Sequence, residues 1–273
     1  MSLRALTHRR GVPIYFALTF AISWAGALIV AAPALLHNGT LSKERGIFLF
    51  PAMILGPCLS GIILNSLAGG TPALRRMVFR MSPGRLAPVW YLAVAVPPLL
   101  ILGVLFSMSS LVSSHFAPNL FWLGIFFGLP AGFIEEIGWT GFALPHMIER
   151  RGVFPQSVML GLIWGLWHLP AIDFLGAATP HGAYLLPFFL AFTAALTALR
   201  VLMAWLYANT GSILLAQLVH ASSTGSLVLF SPPAVTAGEE AVWYLGYAAA
   251  LWAVVGLVWL RYREFGGPYA KPA

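Results

Sequence analysis

The chain consists of long apolar runs separated by short polar connections. A helix that crosses a bilayer needs about 20 mostly apolar residues, and eight of the runs are long enough. The predicted helices are Val12–Leu36, Gly46–Leu67, Pro88–Val112, Asn119–Leu144, Phe154–Phe174, Tyr184–Ala208, Ser212–Phe230 and Ala241–Leu260. The pattern predicts an all-α polytopic membrane protein with about eight transmembrane helices.

No linker, low-complexity tract or internal repeat divides the chain, so residues 1–273 are predicted to form a single integral membrane domain. The longest polar segment, Gly69–Arg85, is expected to be a loop. The first apolar run is about 25 residues long, which exceeds the 7–15 residues of a signal-peptide core. It therefore predicts an uncleaved first helix.

The composition agrees with a bilayer environment. Hydrophobic residues make up 59% of the chain and charged residues 8%, whereas soluble domains carry about 25% charged residues. The net charge of +7 lies in short loops, so we expect no nucleic-acid partner. The single cysteine, Cys58, excludes an intrachain disulfide framework.

The basic residues also predict the orientation of the helices. Twelve of the fifteen Lys and Arg residues fall on one side of the predicted membrane: Arg4, Arg9, Arg10, Arg75, Arg76, Arg80, Arg85, Arg150, Arg151, Arg261, Arg263 and Lys271. The positive-inside rule places this side, with both termini, in the cytoplasm. Compact loops and the absence of targeting signals favour a bacterial cytoplasmic membrane.

Six charged or titratable residues lie within predicted membrane helices, where each charge costs a few kcal/mol: Glu135, Glu136, His168, Arg200, His220 and, at the outer end of its helix, Asp173. At about 1.5 Å of rise per residue, Glu135, His168 and His220 lie roughly 14 to 21 Å from the basic ends of three helices. This common depth predicts one site. Pro130 is expected to kink or loosen the fourth helix just before Glu135.

These residue types suit peptide hydrolysis, which needs an activated water, a proton acceptor and donors for the oxyanion. A buried carboxylate can serve as the base. One glutamate and two histidines (Glu135, His168 and His220) could also bind zinc and leave a position open for water. The residues leave both the zinc mechanism and the metal-free glutamate mechanism open.

Three motifs in this region resemble those of the CPBP intramembrane proteases, the family of CAAX prenyl proteases, bacteriocin-processing proteins and Abi-like proteins. The motifs are Glu135-Glu136-Ile-Gly-Trp-Thr140, Trp164-Gly-Leu-Trp-His168 and His220-Ala-Ser-Ser-Thr224. The resemblance implies a CAAX-protease-like bundle whose motif-bearing core spans about residues 119–230. It also implies membership of a group often called metalloproteases.

The resemblance implies a role for each matched residue. Glu135 would activate water, His168 would help to bind that water or a metal, and His220 with Thr224 would support the oxyanion. Glu136 would be a supporting carboxylate, and Trp164 would help to shape the site.

The chain departs from the family pattern at two positions. Thr140 stands where an arginine is usual, and Thr224 stands where asparagine or aspartate is usual. A threonine hydroxyl has a shorter reach than an arginine or an amide, so both departures weaken the expectation of efficient proteolysis. We hypothesise that Arg200, on another helix, supplies the cation missing at position 140.

The expected function is therefore an intramembrane endopeptidase acting on a peptide or a membrane-anchored, prenylated protein that enters from the cytoplasm or the bilayer. The alternatives are a non-catalytic immunity or partner-binding member of the same fold, and a proton-coupled transporter. Bis-histidine haem binding would leave the glutamates unexplained. The sequence does not predict an oligomeric state, and the glycine pairs Gly128/Gly132 and Gly161/Gly165 are expected to pack the fourth and fifth helices rather than form a dimer.

Overall fold

The computed structural model describes residues 3–37, 41–84, 86–174 and 181–270, and these residues form helices and connections without any strand. The main helices are α1 (Leu3–Leu36), α2 (Leu49–Arg80), α3 (Val96–Leu111), α4 (a continuous helical run over residues 123–151), α5 (Val153–Trp167), α6 (Leu185–Thr210), α7 (Ile213–Leu229) and α8 (Ala237–Tyr262). Each predicted membrane helix overlaps one of them, which confirms the all-α polytopic membrane fold.

Within the described part of the chain, five helical segments are long and apolar enough to cross a bilayer: Arg10–Leu36, Leu49–Arg80, Pro88–Leu111, Gly182–Thr210 and Ala237–Tyr262. The helices α5 and α7 are apolar but shorter, and α4 is irregular. Large apolar side chains such as Leu28, Phe126 and Leu190 are more than half exposed, as expected where lipid takes the place of water. The chain is therefore an integral membrane protein.

Several boundaries differ from those that the sequence predicted, and two of the differences concern breaks in the helices. The expected loop Gly69–Arg85 is helical as far as Arg80, because α2 continues beyond a kink at Gly70, whose φ of 60° is left-handed. The helix α5 ends at Trp167, and a short π-helical segment, Pro170–Phe174, follows it. A run of apolar residues does not reveal such breaks, because the hydropathy stays high across them.

The helix α4 changes its winding twice beside the glutamate pair. It begins as an α-helix over Leu123–Pro130, becomes π-helical over Ala131–Glu135, and is π-helical again over Trp139–Ala143. Pro130 has no N–H to donate one turn back, and the first π-helical segment starts at the next residue. The loosening predicted at Pro130 is therefore present, and single π turns of this kind are frequent at functional sites.

Glycine stripes bring the helices of the site close together. A Cβ added to Gly128 or Gly132 would lie 2.4 Å from a backbone oxygen of α7, and one added to Gly161 would lie 2.6 Å from the Cα of Thr197 in α6. The glycine pairs therefore pack α4 against α7 and α5 against α6, whereas the sequence suggested a contact between the fourth and fifth helices. They hold the backbones that carry the three motifs in a fixed relation.

The two ends of the bundle differ in charge. Consecutive helices are antiparallel, so the α2–α3, α4–α5 and α6–α7 connections share one end with both termini. We call this the basic end, because it carries Arg75, Arg76, Arg80, Arg151, Arg261 and Arg263. Arg85 and Lys271, also counted in the sequence analysis, lie outside the described residues, as does the side chain of Asp173. The opposite end carries Arg45 together with Glu239 and Glu240.

Candidate active site

Glu135 lies inside the bundle with one carboxylate oxygen held by two tryptophans. Its side chain is 2% exposed. The indole N–H groups of Trp139 and Trp164 donate to Oε2 over 3.2 and 3.0 Å. Among the described residues, no donor contacts the second oxygen, Oε1. One oxygen therefore fixes the side chain, while the other is free to interact with a molecule in the site.

Glu136 points in another direction and is fully enclosed by polar partners. Arg200 donates from Nη1 to Oε2 over 2.8 Å and from Nη2 to Oε1 over 2.9 Å. The Thr140 hydroxyl also donates to Oε2, and Nδ1 of His220 lies 2.8 Å from Oε1. The contact that the Arg200 hypothesis requires is therefore present, and it is the two-pronged pair that suits guanidinium and carboxylate.

The hydrogen bonds of the two histidines define which nitrogen carries a proton. Nδ1 of His168 lies 2.8 Å from the carbonyl oxygen of Trp164, and Nδ1 of His220 faces a carboxylate oxygen. Both partners can only accept, so each Nδ1 is the donor and each neutral ring has an acceptor at Nε2. Neutral His168 can thus orient a water molecule by accepting from it. His220 can donate from Nε2 only as an imidazolium.

Trp164 contacts four groups of the site. Besides its bonds to Glu135 and His168, its ring lies 4.8 Å from the ring of His220 and 4.2 Å from the guanidinium carbon of Arg200. The motifs in the sequence predict a part for Trp164 in shaping the site, but Trp139 is not among the predicted residues. The spacing i, i+4 from Glu135 to Trp139 is the signal that could have identified it.

A cavity of about 350 Å³ opens beside Glu135, and we call it the active-site cavity. The side chains along its wall that can form hydrogen bonds are Glu135, Trp164, Trp167, His168, Thr224 and Tyr244. The rest of the wall is mostly aliphatic or aromatic and comes from α2, α4, α6 and α7. Glu136, Arg200 and His220 lie behind this wall and do not line the cavity.

The active-site cavity lies in the half of the bundle away from the basic end. Its wall includes residues near the start of α2 (Leu49, Met53) and near the end of α7 (Leu227, Val228). It also includes Ala171, just after α5. These residues all lie toward the connections that carry few basic side chains.

The zinc hypothesis requires Glu135, His168 and His220 to converge on one point. In the described part of the chain, no three carboxylate, imidazole or thiolate groups lie close enough together to hold a metal ion. Oε2 of Glu135 accepts hydrogen bonds from two indole N–H groups, and these protons occupy the space that a metal bound to Oε2 would need. Nδ1 of His220 is turned toward Glu136. The residues as arranged do not fit a three-ligand metal site.

Comparison with known proteins agrees with the motifs. Residues 116–225 match the family model described as type II CAAX prenyl endopeptidase Rce1-like. This matched segment contains Glu135, Glu136, His168, Arg200 and His220.

A curated relative matches a shorter part of the chain. A protein of Methanococcus maripaludis named "CAAX prenyl protease 2" is 40% identical over 60 residues, which is 22% of this chain and 20% of that protein. The chain thus matches about a fifth of the relative's length. The two comparisons confirm the resemblance drawn from the three motifs and support a CPBP-type intramembrane endopeptidase at the level of the family.

Proposed function

We propose that the chain hydrolyses a peptide bond within the membrane, using a water molecule that Glu135 activates. The observation that carries this proposal is the position of Glu135 itself. One of its oxygens is fixed by two indole donors, and the side chain lines an apolar cavity together with His168 and Thr224. A carboxylate held in this way needs no reorganisation before it accepts a proton.

The reaction follows from the free acceptors in the site. Oε1 of Glu135 accepts a proton from water while Nε2 of His168 accepts the other hydrogen bond and orients the molecule. The resulting hydroxide attacks the carbonyl carbon of the substrate. The proton on Glu135 then passes to the departing amine as the C–N bond breaks, so the carboxylate is regenerated.

The carbonyl oxygen becomes an oxyanion during the attack and needs donors. Thr224 lines the cavity one helical turn after His220, and its hydroxyl can donate directly. His220 lies behind the wall of the cavity, where its bond to Glu136 fixes the turn of α7 that precedes Thr224. Glu136, Arg200 and Thr140 hold His220 in this position, and none of the four residues touches the substrate.

We further propose that this chemistry needs no metal, because the carboxylate and imidazole groups do not form a three-ligand set. The expected result is full turnover after dialysis against a chelator, with no stoichiometric zinc in the purified protein. Loss of turnover that returns on adding zinc would contradict the metal-free mechanism while leaving the hydrolase proposal intact.

The wall of the cavity favours an apolar substrate segment, either a membrane-embedded peptide or a prenylated C-terminus of the kind that the relative's name specifies. If the basic end faces the cytoplasm, the cavity opens toward the bilayer or the opposite face. We therefore propose entry from the bilayer rather than directly from the cytoplasm. Cleavage of a farnesylated peptide and its unmodified counterpart, measured side by side, distinguishes the two substrate classes.

The decisive experiment compares turnover of a quenched fluorescent, membrane-compatible peptide by three purified proteins. These are the unmodified chain, Glu135→Gln and the control Glu149→Gln. Glu149 is exposed at the basic end, far from the cavity, so its substitution should leave turnover unchanged. Glu135→Gln keeps an acceptor for the two indoles but cannot take a proton, and we expect a loss of at least 10²-fold.

Equal turnover by all three proteins would overturn the assignment of Glu135. Peptide binding without cleavage by any of them would instead favour the non-catalytic member of the fold. The transporter alternative needs a path to both faces. The active-site cavity and the cavity at the basic end share no wall residue in the described part of the chain.

The proposed orientation has its own test. In a Cys58→Ser background, single cysteines are introduced as Ser114→Cys, at the end opposite the basic end, and Ser82→Cys, at the basic end. Both positions are exposed. A membrane-impermeant maleimide added to intact cells should label the first and not the second. The reverse pattern would place the cavity on the cytoplasmic side.

A further inference from the structure

A second, larger cavity lies at the basic end, and the proposed hydrolysis gives it no role. It measures about 720 Å³ and lies between the end of α2 and the start of α7. We call it the basic cavity. The side chains around it that can form hydrogen bonds are Arg75, Arg76, Arg80, Ser82, Thr210, Ser212 and Tyr269.

The three arginines give this cavity a charge of one sign. All three side chains are exposed, and none of the described residues that line the cavity carries a carboxylate. In the described residues, none of the three forms an ion pair with an aspartate or glutamate. Arg80 donates to the hydroxyl of Tyr207 over 2.5 Å, so it is positioned, while Arg75 and Arg76 are free to bind an external anion.

The start of α7 adds a separate attraction for anions. Ser212 caps this 17-residue helix, with its hydroxyl accepting from the backbone N–H of Leu215, and it lines the basic cavity. The N-terminus of a helix carries a partial positive charge and presents unpaired backbone N–H groups. The helix end and the arginines therefore face the same space.

We propose that the basic cavity binds the phosphate group of an anionic phospholipid. Guanidinium groups match phosphate oxygens in a two-pronged geometry, and the cavity is large enough for a headgroup. A lipid is favoured over a soluble phosphate because Phe79, which lines the cavity, is 79% exposed and its neighbour Val78 is 57% exposed. These apolar surfaces suit acyl chains at the end of a membrane helix.

The test measures lipid binding and does not depend on catalysis. The full chain, purified in detergent, is titrated with phosphatidylglycerol and separately with phosphatidylcholine, and bound lipid is counted by native mass spectrometry. We expect saturable binding of phosphatidylglycerol and a clear preference over phosphatidylcholine. Equal binding of the two lipids by the unmodified chain would overturn the proposal without any variant.

Two double variants with the same loss of charge locate the site. Arg75→Gln with Arg76→Gln removes two cations from the basic cavity. Arg261→Gln with Arg263→Gln removes two exposed cations from the same end but outside the cavity. Each arginine near an anionic surface contributes about fivefold to the binding affinity. The first variant should therefore bind phosphatidylglycerol on the order of 20-fold more weakly.

The control variant should bind phosphatidylglycerol nearly as well as the unmodified chain. Equal weakening in both variants would mean that general surface charge attracts the lipid, and this would overturn the proposal of a defined site. A parallel titration with inorganic phosphate separates the two sources of the ligand. If phosphate binds and phosphatidylglycerol does not, the site takes a soluble anion and the lipid proposal is wrong.

Discussion

Removing the guanidinium of Arg200 should destabilise the protein far more than removing any arginine at its ends. Arg200 is 0% exposed and donates twice to Glu136, which is also 0% exposed. The substitution Arg200→Ala leaves a carboxylate in the interior with only the Thr140 hydroxyl and His220 as partners. Removing one partner of a buried ion pair lowers the free energy of unfolding by about 3–5 kcal/mol. The lost contact between the guanidinium and the ring of Trp164 adds to this destabilisation.

The measurement is thermal unfolding in detergent, followed by the fluorescence of the ten tryptophans. At about 2–4 °C per kcal/mol for a chain of this size, the midpoint should fall by about 10 °C. The matched control, Arg261→Ala, removes an exposed arginine at the basic end. It should shift the unfolding midpoint by about 1–2 °C, because substitutions at exposed positions change the free energy of unfolding by no more than about 0.5 kcal/mol. An equal shift in both variants would refute the account of the Glu136 network.

A second variant tests whether the position of the cation matters. The Thr140 hydroxyl lies 3.4 Å from Nη1 of Arg200, so a long side chain at position 140 can reach the space that Arg200→Ala vacates. The double variant Thr140→Arg with Arg200→Ala restores the family's usual arrangement and should recover part of the lost midpoint. No recovery would mean that the cation must come from α6.

Further predictions concern the chemistry and the packing of the site. Trp164→Phe keeps an aromatic ring but removes one of two donors to Glu135, so turnover should fall about 10-fold, and the smaller ring should also lower the unfolding midpoint. Thr224→Val should lower turnover, because it removes the hydroxyl donor. Thr224→Asn should raise turnover severalfold, because an amide reaches further than a hydroxyl. Identical rates in these variants and the unmodified chain would show that Thr224 does not donate to the oxyanion. Gly128→Ala places a Cβ 2.4 Å from a backbone oxygen of α7 and should destabilise by about 2 kcal/mol. The control Gly103→Ala meets no atom within 4 Å and should be neutral or stabilising. Comparable unfolding midpoints for the two alanine variants would contradict the close packing of α4 on α7.

The overall fold could be predicted from the sequence because the bilayer imposes a simple rule. Every backbone N–H and C=O group in lipid must be hydrogen-bonded within its own helix. An apolar run that is long enough to cross the bilayer therefore predicts a helix. The continuation of α2 to Arg80 was missed because residues after Gly70 are polar enough to suggest a loop. This part of α2 lies outside the membrane core, and hydropathy does not predict helices there.

The glutamates and histidines could be identified because charge at depth is costly and therefore rare. The division of labour between Glu135 and Glu136 was harder to assign in detail. Adjacent residues on a helix point about 100° apart, but the π-helical turns on either side of the pair alter that angle. The common depth also predicted that His220 would share one site with Glu135 and His168. In the structure, the bond from His220 to Glu136 holds the imidazole behind Trp164. Such details depend on contacts between helices that are distant along the chain.

The long separation between Glu136 and its cation has a consequence for biogenesis. The two residues are 64 positions apart, so a ribosome adding about 5–20 residues per second needs roughly 3–13 s to synthesise α6 after the glutamate pair. During that interval α4 carries a carboxylate for which the nascent chain has not yet supplied a guanidinium. The hairpin of α4 and α5 should therefore remain beside the insertion machinery until α6 arrives, and nascent chains stopped before Arg200 should be released into the bilayer poorly.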